Sequence, residues 1–433
     1  MVRRNAAPPP SSAPKVTAPP VKPVKRSTPY VRQWAAEVER RSLAAPADLL
    51  RQGRSNWRSI ADDPAAQARL AKELCVTRSP ELTLAYRNLV WLLPGFRQVT
   101  RAGRRKLTSE ICVVLVVRNK GSVPDGHRQH LPAALLTYAA HDGERKLFAV
   151  PTDVQDAAEF ATATAHSDSG VWVRRSSWPY SPGSFACLVV LSQGERSDAC
   201  LLSAQHVFTP YADAGATKID ADWPVFARAE NGSAASSQVL AKTLPYGGIL
   251  RDDRDGRLSF DVQLAEPDQA VIPRIALRNF HPERPWVTSM KELLALDAQA
   301  ANAFLLLTPD NHPKPRGEIP LSLSHMPDDD EVLTVVPIRY KLSRNGAATT
   351  CTVLHDGLLV FKAGGNAHAV GGDSGAPVVV KHADDTMTLV GMHIAGNDAG
   401  LSWAIPAWQL FSLDFWTNSP RGATLTPMDV PGE

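Results

Sequence analysis

One short stretch near the C-terminal end constrains this chain more than any other. Residues 370–380 read VGGDSGAPVVV, which sets Ser374 among glycines, behind an aspartate and ahead of Pro377 and a run of valines. Glycines beside the serine let the backbone take conformations that a side chain would forbid, and they leave room for a substrate carbonyl. The backbone N–H groups of Gly372 and Ser374 could then converge on an oxyanion. The alternative is an ordinary glycine-rich surface turn, so other parts of the chain must decide.

A serine hydroxyl becomes a good nucleophile only when a base takes its proton during attack. Among the twelve histidines, His206 stands out because the segment 201–207, LLSAQHV, indicates a strand followed by a short helix. An isolated histidine after an apolar strand is more often structural. Its assignment as the base therefore depends on the motifs that accompany it.

The third group of such a site is a carboxylate that fixes the imidazole tautomer. Residues 258–265 read LSFDVQLA, so Asp261 precedes alternating apolar residues and would begin a strand. Asp261 is a candidate for this role. The competing aspartates lie either in a hydrophilic turn that we expect to be solvated, Asp252, Asp253 and Asp255, or too close to the histidine in sequence, Asp220 and Asp222.

These segments together resemble the chymotrypsin/trypsin-like serine proteases, whose nucleophile signature is usually Gly-Asp-Ser-Gly-Gly-Pro. Ala376 replaces the second glycine here. The chain order His206, Asp261, Ser374 is also that of the family, whereas α/β-hydrolases place the Asp and His after the serine. The resemblance covers roughly residues 170–415. It implies two antiparallel six-stranded β-barrels with the triad in the cleft between them.

The resemblance also implies a role for each residue. Ser374 would be the nucleophile, His206 the general base and then acid, and Asp261 the group that orients the histidine. The amides of Gly372 and Ser374 would form the oxyanion hole. Many relatives are activated when cleavage frees an Ile/Val-Val-Gly-Gly N-terminus, and no such segment stands near residues 160–190. We therefore expect a preformed site or another mode of activation.

The segment GMHIAGN, residues 391–397, follows the nucleophile strand where the family builds a wall of its specificity pocket. Similar Gly-x-His segments occur in glutamate-specific bacterial proteases and in picornavirus-type 3C cysteine proteases. The likeness implies His393 and Gly396 as substrate-binding residues. His368 occupies the pocket-base position in place of the aspartate that selects Lys or Arg. We expect a preference for Glu or Gln, or for a small residue, before the scissile bond; alternatively, His393 is a core histidine.

Composition narrows the remaining functions. With 433 residues the chain can hold two or three domains, and a net charge of +3 is too small to indicate a nucleic-acid partner. The longest apolar runs are strand-sized, so no membrane interaction is expected. The five cysteines are scattered and odd in number, which predicts buried thiols in a cytoplasmic protein. Histidines and cysteines lack ligand spacing, so neither a metal nor an organic cofactor is expected.

The same composition predicts a division of the chain. Residues 1–29 are rich in proline and lysine without an acidic residue, and they predict a disordered tail, or a ligand for a proline-binding module. Residues 30–160 predict a small α/β domain with a regulatory or protein-interaction role. Residues 165–415 form the protease-like part, and residues 416–433 form a C-terminal tail.

Within the α/β part, Asp63-Pro64 predicts the start of a helix and Ser79-Pro80 a break in it. The run LTSEICVV at residues 107–114 resembles a region attached to some bacterial trypsin-like proteins. Further along, the Ser- and Gly-rich residues 160–184 indicate a linker, and residues 286–307 indicate a helical insertion.

The sequence therefore predicts a mostly β protein that acts as a serine endopeptidase on a protein or peptide substrate. The alternative is a catalytically silent, protease-like scaffold that uses residues 30–160 only for binding.

Overall fold

A computed structural model describes the greater part of the chain. The described residues are 47–101, 104–118, 120, 131–159, 171–173, 181–209, 218–227, 239–255, 257–268, 280–299, 304–307, 318–324, 333–344, 347–364, 369, 373–397 and 399–428. The predictions for the tail of residues 1–29, for Gly372 and for His368 lie outside them.

The elements are named here in chain order. The helices are α1 Ala47–Ser59, α2 Pro64–Ala85, α3 Gln205–Phe208, α4 Met290–Asp297 and α5 Ala407–Leu410. The strands are β1 Leu89–Arg101, β2 Arg104–Val117, β3 Ala134–His141, β4 Glu144–Asp156, β5 Ala158–Glu159, β6 Val171–Val173, β7 Ser181–Gly183, β8 Cys187–Gln193, β9 Arg196–Ser203, β10 Pro224–Ala227, β11 Val239–Gly247, β12 Gln263–Pro267, β13 Phe304–Leu307, β14 Glu318–Leu323, β15 Leu333–Arg344, β16 Ala347–Ala363, β17 Pro377–Lys381, β18 Met387–Gly396, β19 Leu401–Pro406 and β20 Thr424–Pro427.

In the N-terminal part, α1 and α2 pack against a sheet with the strand order β1-β2-β4-β3. Asp63 caps α2, since its Oδ1 accepts a hydrogen bond from the N–H of Ala66 at 2.9 Å, and Pro64 opens the helix. The predicted helix start is thus confirmed. The break predicted at Pro80 is wrong, because the helix continues to Ala85 and buries Leu82 in the core.

A second sheet has the strand order β20-β8-β9-β12-β11-β10-β6-β7 and supplies the histidine side of the site. Two of its strands, β6 and β7, lie within residues 160–184, so that segment is not only a linker. Pairing with neighbouring strands overrides its Ser- and Gly-rich composition. The sheet also extends beyond residue 415, because β20 pairs with β8.

The third sheet has the order β14-β13-β17-β18-β19-β16-β15-β5, and β14 pairs with β16 as well as with β13. These pairings make a closed circuit of strands, with an apolar cluster that includes Phe304, Leu321 and Phe361. The prediction of a helical insertion at residues 286–307 is correct only for α4. Phe304–Leu307 is a strand because its apolar side chains complete this cluster.

The described residues are mostly β and form several antiparallel sheets, as predicted. The finer description as two six-stranded barrels stays a prediction. The five cysteines all lie in the described ranges, where they are buried and none forms a disulfide. No helix in these ranges is both long and apolar enough to cross a membrane.

Candidate active site

His206 lies just after a buried strand, on the short helix α3. Leu201 and Leu202, near the end of β9, are completely buried, and Leu202 lies opposite Leu264 of β12. This pairing brings the residues ahead of β12 beside the start of α3. The predicted strand-then-helix segment is confirmed, and Asp261 comes to lie next to His206.

Two hydrogen bonds join these residues. The imidazole Nδ1 of His206 lies 2.6 Å from Oδ2 of Asp261, and the backbone N–H of His206 donates to Oδ1 at 3.1 Å. The histidine side chain is 18% exposed, whereas the aspartate is completely buried. A carboxylate that bonds both ring and backbone fixes the orientation of the imidazole. It also leaves Nε2 as the nitrogen that can take up a proton.

Burial by itself would raise the pKa of Asp261. The charge of His206 and the hydrogen bond from its ring outweigh this effect, and they lower the pKa of Asp261 below its usual value, with smaller contributions from His355 and then from the hydrogen bond of Tyr340. The carboxylate is therefore ionised at neutral pH, as an orienting group requires.

Ser374 lies in a tight turn just ahead of β17. Its carbonyl accepts a hydrogen bond from the N–H of Ser184 at 2.7 Å, and its hydroxyl donates to the carbonyl of Ile394 at 3.4 Å. Gly375 has a φ of +87°, and an added Cβ would collide with the carbonyl oxygen of Ser184 and the hydroxyl of Ser203. Only glycine fits this position. The predicted need for glycine beside the serine is confirmed here.

Ser184 also connects this turn to the histidine segment. Its carbonyl oxygen accepts a hydrogen bond from the hydroxyl of Ser203 at 2.6 Å, and Ser203 is the last residue of β9, shortly before His206. The Ser374 turn and the His206 helix are thus held against the same short piece of backbone.

Two further polar residues, which no sequence motif indicated, form a chain of hydrogen bonds that ends at the aspartate. The phenol of Tyr340 donates a hydrogen bond to Oδ2 of Asp261 at 2.8 Å, and its oxygen lies 2.8 Å from Nε2 of His355. Both residues are buried on the β15–β16 hairpin. Neither residue has a local sequence signal, because charged residues adjoin both of them in the chain, namely Arg339, Lys341 and Asp356.

Of the residues predicted to bind substrate, His393 and Gly396 lie on β18. His393 is buried, and its Nδ1 is 2.7 Å from the hydroxyl of Ser402. Its carbonyl accepts a hydrogen bond from the N–H of Gly375, so β18 is joined directly to the Ser374 turn. A Cβ at Gly396 would lie 2.9 Å from the Cβ of Ala369, so the chain passes close to this glycine.

The expectation that the hydrophilic turn before Asp261 is solvated is wrong. Asp252 is buried, and the side chain of Asp253 is only 6% exposed. The backbone N–H of Arg254 donates to Oδ1 of Asp252 at 3.1 Å, and Asp253 forms an ion pair with Arg118 of the N-terminal part. These partners replace water, which composition alone cannot show.

Within the described ranges, no group of three or more His, Cys, Asp or Glu side chains is placed to hold a metal ion.

Comparisons with known proteins identify no family for this chain. No protein-family model matches it, and no curated protein matches it. The NS6 protease from murine norovirus 1 is 12% identical, with a TM-score of 0.23, over 48% of this chain and 80% of that chain. An inactive mutant form of Rv3671c from M. tuberculosis H37Rv is 13% identical, with a TM-score of 0.22, over 51% of this chain and 81% of that chain. A Glu endopeptidase in complex with MPD is 12% identical, with a TM-score of 0.24, over 55% of this chain and 92% of that chain.

Because the identities are below 25% and the TM-scores are far below 0.5, we draw neither fold nor function from these similarities.

Proposed function

We propose that the chain is a serine endopeptidase of the chymotrypsin/trypsin-like type. The observation that carries this proposal is the pair of hydrogen bonds between His206 and Asp261. The backbone of Ser184 holds this pair beside the turn of Ser374, because it bonds both Ser374 and Ser203, which shortly precedes His206. A buried, ionised carboxylate on Nδ1 of a histidine is the arrangement that activates a serine hydroxyl.

In the proposed reaction, the hydroxyl of Ser374 attacks the peptide carbonyl carbon while His206 takes its proton. Asp261 stabilises the imidazolium, and the backbone amides of Gly372 and Ser374 bind the oxyanion. His206 then donates the proton to the leaving amine as the C–N bond breaks. Water, deprotonated by His206, hydrolyses the acyl-enzyme and restores the serine. These steps require neither a metal nor a cofactor.

The same proposal extends to the architecture. We assign the residues from 165 onward to a protease part built as two six-stranded barrels, and this part includes β20, which pairs with β8 beyond residue 415. The closed circuit of strands made by the pairing of β14 with both β13 and β16 supports one of these barrels. For the other, the support is the antiparallel order of β8, β9, β12, β11 and β10.

Residues 30–160 are proposed as a regulatory module that binds a protein partner. The support lies in its contacts with the proposed protease part. Arg118 pairs with Asp253, and Asp156 pairs with Arg339 at 3.3 Å. A cytoplasmic location is proposed on the ground that all five cysteines remain thiols, which suits a reducing compartment.

For specificity, we propose a preference for Glu or Gln, or for a small residue, before the scissile bond. The position of His393 on the strand bonded to the Ser374 turn supports this preference. Its buried bond to Ser402 also fits a purely structural histidine. Changing His393 to Ala and profiling the cleaved peptides decides between the two.

A peptide-library digest tests the function itself. The full chain is expected to cleave peptides after Glu, Gln or small residues, and Ser374→Ala is expected to abolish cleavage. Ser192→Ala, on the partly exposed strand β8, is the matched control and should cleave at the wild-type rate. A wild-type chain that is folded but cleaves no peptide would favour the binding scaffold instead.

A further inference from the structure

The β15–β16 hairpin brings the buried phenol of Tyr340 against the carboxylate of Asp261, and the buried ring of His355 contacts that phenol. Oδ2 of Asp261 accepts hydrogen bonds from both His206 and Tyr340, and Oδ1 accepts one from the backbone of His206. Among the described residues, three donors therefore hold the carboxylate, and one of them comes from outside the His206 segment. That donor is the phenol of Tyr340.

Tyr340 contacts both members of the pair. Its ring lies edge-on to the imidazole of His206, with centroids 5.4 Å apart and an interplanar angle of 77°. Its phenol bonds the carboxylate, and both the burial of Tyr340 and the charge of Asp261 raise the pKa of Tyr340 well above its usual value. The phenol thus keeps its proton and remains a donor.

His355 supports this phenol from the other side. Burial lowers the pKa of His355 to about 4, although the charge of Asp261 opposes this effect, so the ring is neutral at neutral pH. Tyr340 has one proton, which it gives to Asp261, because an ionised carboxylate can only accept. In its Nε2–H tautomer, His355 then donates a hydrogen bond to the tyrosine oxygen.

The hairpin is fixed in this place by backbone contacts. The N–H of Ser259, just ahead of Asp261, donates to the carbonyl of Leu354 at 2.8 Å, next to His355 in the chain. On the opposite strand, β5 pairs in parallel with Ile338 and Arg339. The residues that flank Asp261 and those that carry Tyr340 therefore form one connected unit.

We propose that Tyr340 is a positioning residue for the reaction, that it holds the Asp261 carboxylate toward His206, and that His355 fixes the phenol as a donor. This inference rests on the proposed function, and it adds two residues from the C-terminal half of the chain to the machinery of His206. A hydrogen bond to a charged group changes an equilibrium by about tenfold to a hundredfold.

The first test measures the rate at which a fluorophosphonate labels the full chain, as a function of pH. Tyr340→Phe keeps the ring but removes the donor, and we expect labelling to slow by about tenfold to a hundredfold. The acid limb of the profile should move to higher pH, because the full charge of Asp261 then bears on His206, which holds its proton more tightly. Tyr86→Phe, at another buried tyrosine in the N-terminal part, should change neither.

The second test compares two changes at His355. His355→Leu removes the donor to Tyr340 and should slow labelling by about threefold to tenfold. His355→Gln retains a neutral N–H donor and should recover most of the wild-type rate. Equal rates for the two variants would contradict the role of His355. These two His355 variants also test the proposal if Tyr340→Phe does not fold.

A third readout does not depend on turnover. The low-field proton resonance of the His206 Nδ1–H should shift in Tyr340→Phe and stay unchanged in Tyr86→Phe. If the wild-type chain is not labelled but this resonance shifts, the proposed function fails while the positioning role stands. If rate, acid limb and resonance in Tyr340→Phe all match Tyr86→Phe, the positioning role is overturned.

Discussion

Two buried aspartates, Asp253 and Asp261, lie between the same pair of strands, β11 and β12. Their pKa values are nevertheless shifted in opposite directions. The pKa of Asp253 is raised to about 6 by its burial and by its hydrogen bond with Asp252, against the opposing charge of Arg118. The pKa of Asp261 is lowered, although that side chain is more completely buried.

The difference teaches that burial does not decide the charge of a carboxylate by itself. At Asp253 a second carboxyl group shares the site, and one arginine does not compensate for it. At Asp261 the imidazole, a backbone N–H and a phenol all donate to the same carboxylate. The first site suits a structural contact with the N-terminal part, and the second suits the support of a base.

The largest expected effect concerns activity. Asp261→Asn should lower peptide hydrolysis by about four orders of magnitude, because the amide can no longer stabilise the imidazolium or fix the Nδ1–H tautomer. Asp253→Asn changes the same chemical group in the same region and should stay within a few-fold of wild type. Steady-state kinetics on the best library peptide checks both. Comparable losses in the two variants would contradict separate roles.

A second effect concerns stability against pH, measured as Tm in a Ser374→Ala background to prevent self-cleavage. The raised pKa of Asp253 means that the folded state binds its proton more tightly than the unfolded chain. Its contribution to the free energy of unfolding therefore falls as pH rises from about 4 to about 6. Asp253→Asn should remove this fall.

Asp261 should act in the opposite direction. Its lowered pKa gives stability that is present above the ordinary carboxyl pKa and is lost as pH falls through the folded-state value. Asp261→Asn should therefore weaken the acid-side loss of Tm. Variants whose Tm profiles change in the same direction would show that the two sites do not differ in this way.

The smallest expected effect concerns the junction with the N-terminal part. Arg118→Leu leaves the buried Asp253 without its ion-pair partner and should lower Tm by a few degrees at pH 7, where that carboxyl is ionised. Peptide hydrolysis should change little. Arg97→Leu is a matched control, since Arg97 pairs with Glu110 at a half-exposed site and should barely affect Tm. A large loss of activity in Arg118→Leu would instead connect this ion pair with the catalytic machinery.

The sequence predicted the elements that carry the site because each has a local pattern. The strand and short helix around His206, the strand after Asp261 and the glycine turn at Ser374 all follow from neighbouring residues. The contact of His206 with Asp261 could be proposed only through family resemblance, because their pairing is set by the long-range register of β9 with β12.

Other features had no local signal. Tyr340 reaches Asp261, and His355 reaches Tyr340, only because the long β15–β16 hairpin passes beside Asp261. Asp252 and Asp253 looked solvated because their turn is hydrophilic, but Asp253 forms an ion pair with Arg118, which is distant in sequence. Tertiary contacts between remote segments decided each of these cases.

The central claim is that His206 and Asp261 activate Ser374, and covalent labelling tests it most directly. The full chain is treated with a fluorophosphonate, and the modified residue is located by mass spectrometry. The account predicts one adduct per chain on Ser374, absent in Ser374→Ala and strongly slowed in both His206→Ala and Asp261→Asn. A folded wild-type chain that gains no adduct, or that is labelled on Ser374 equally fast without His206, would contradict it.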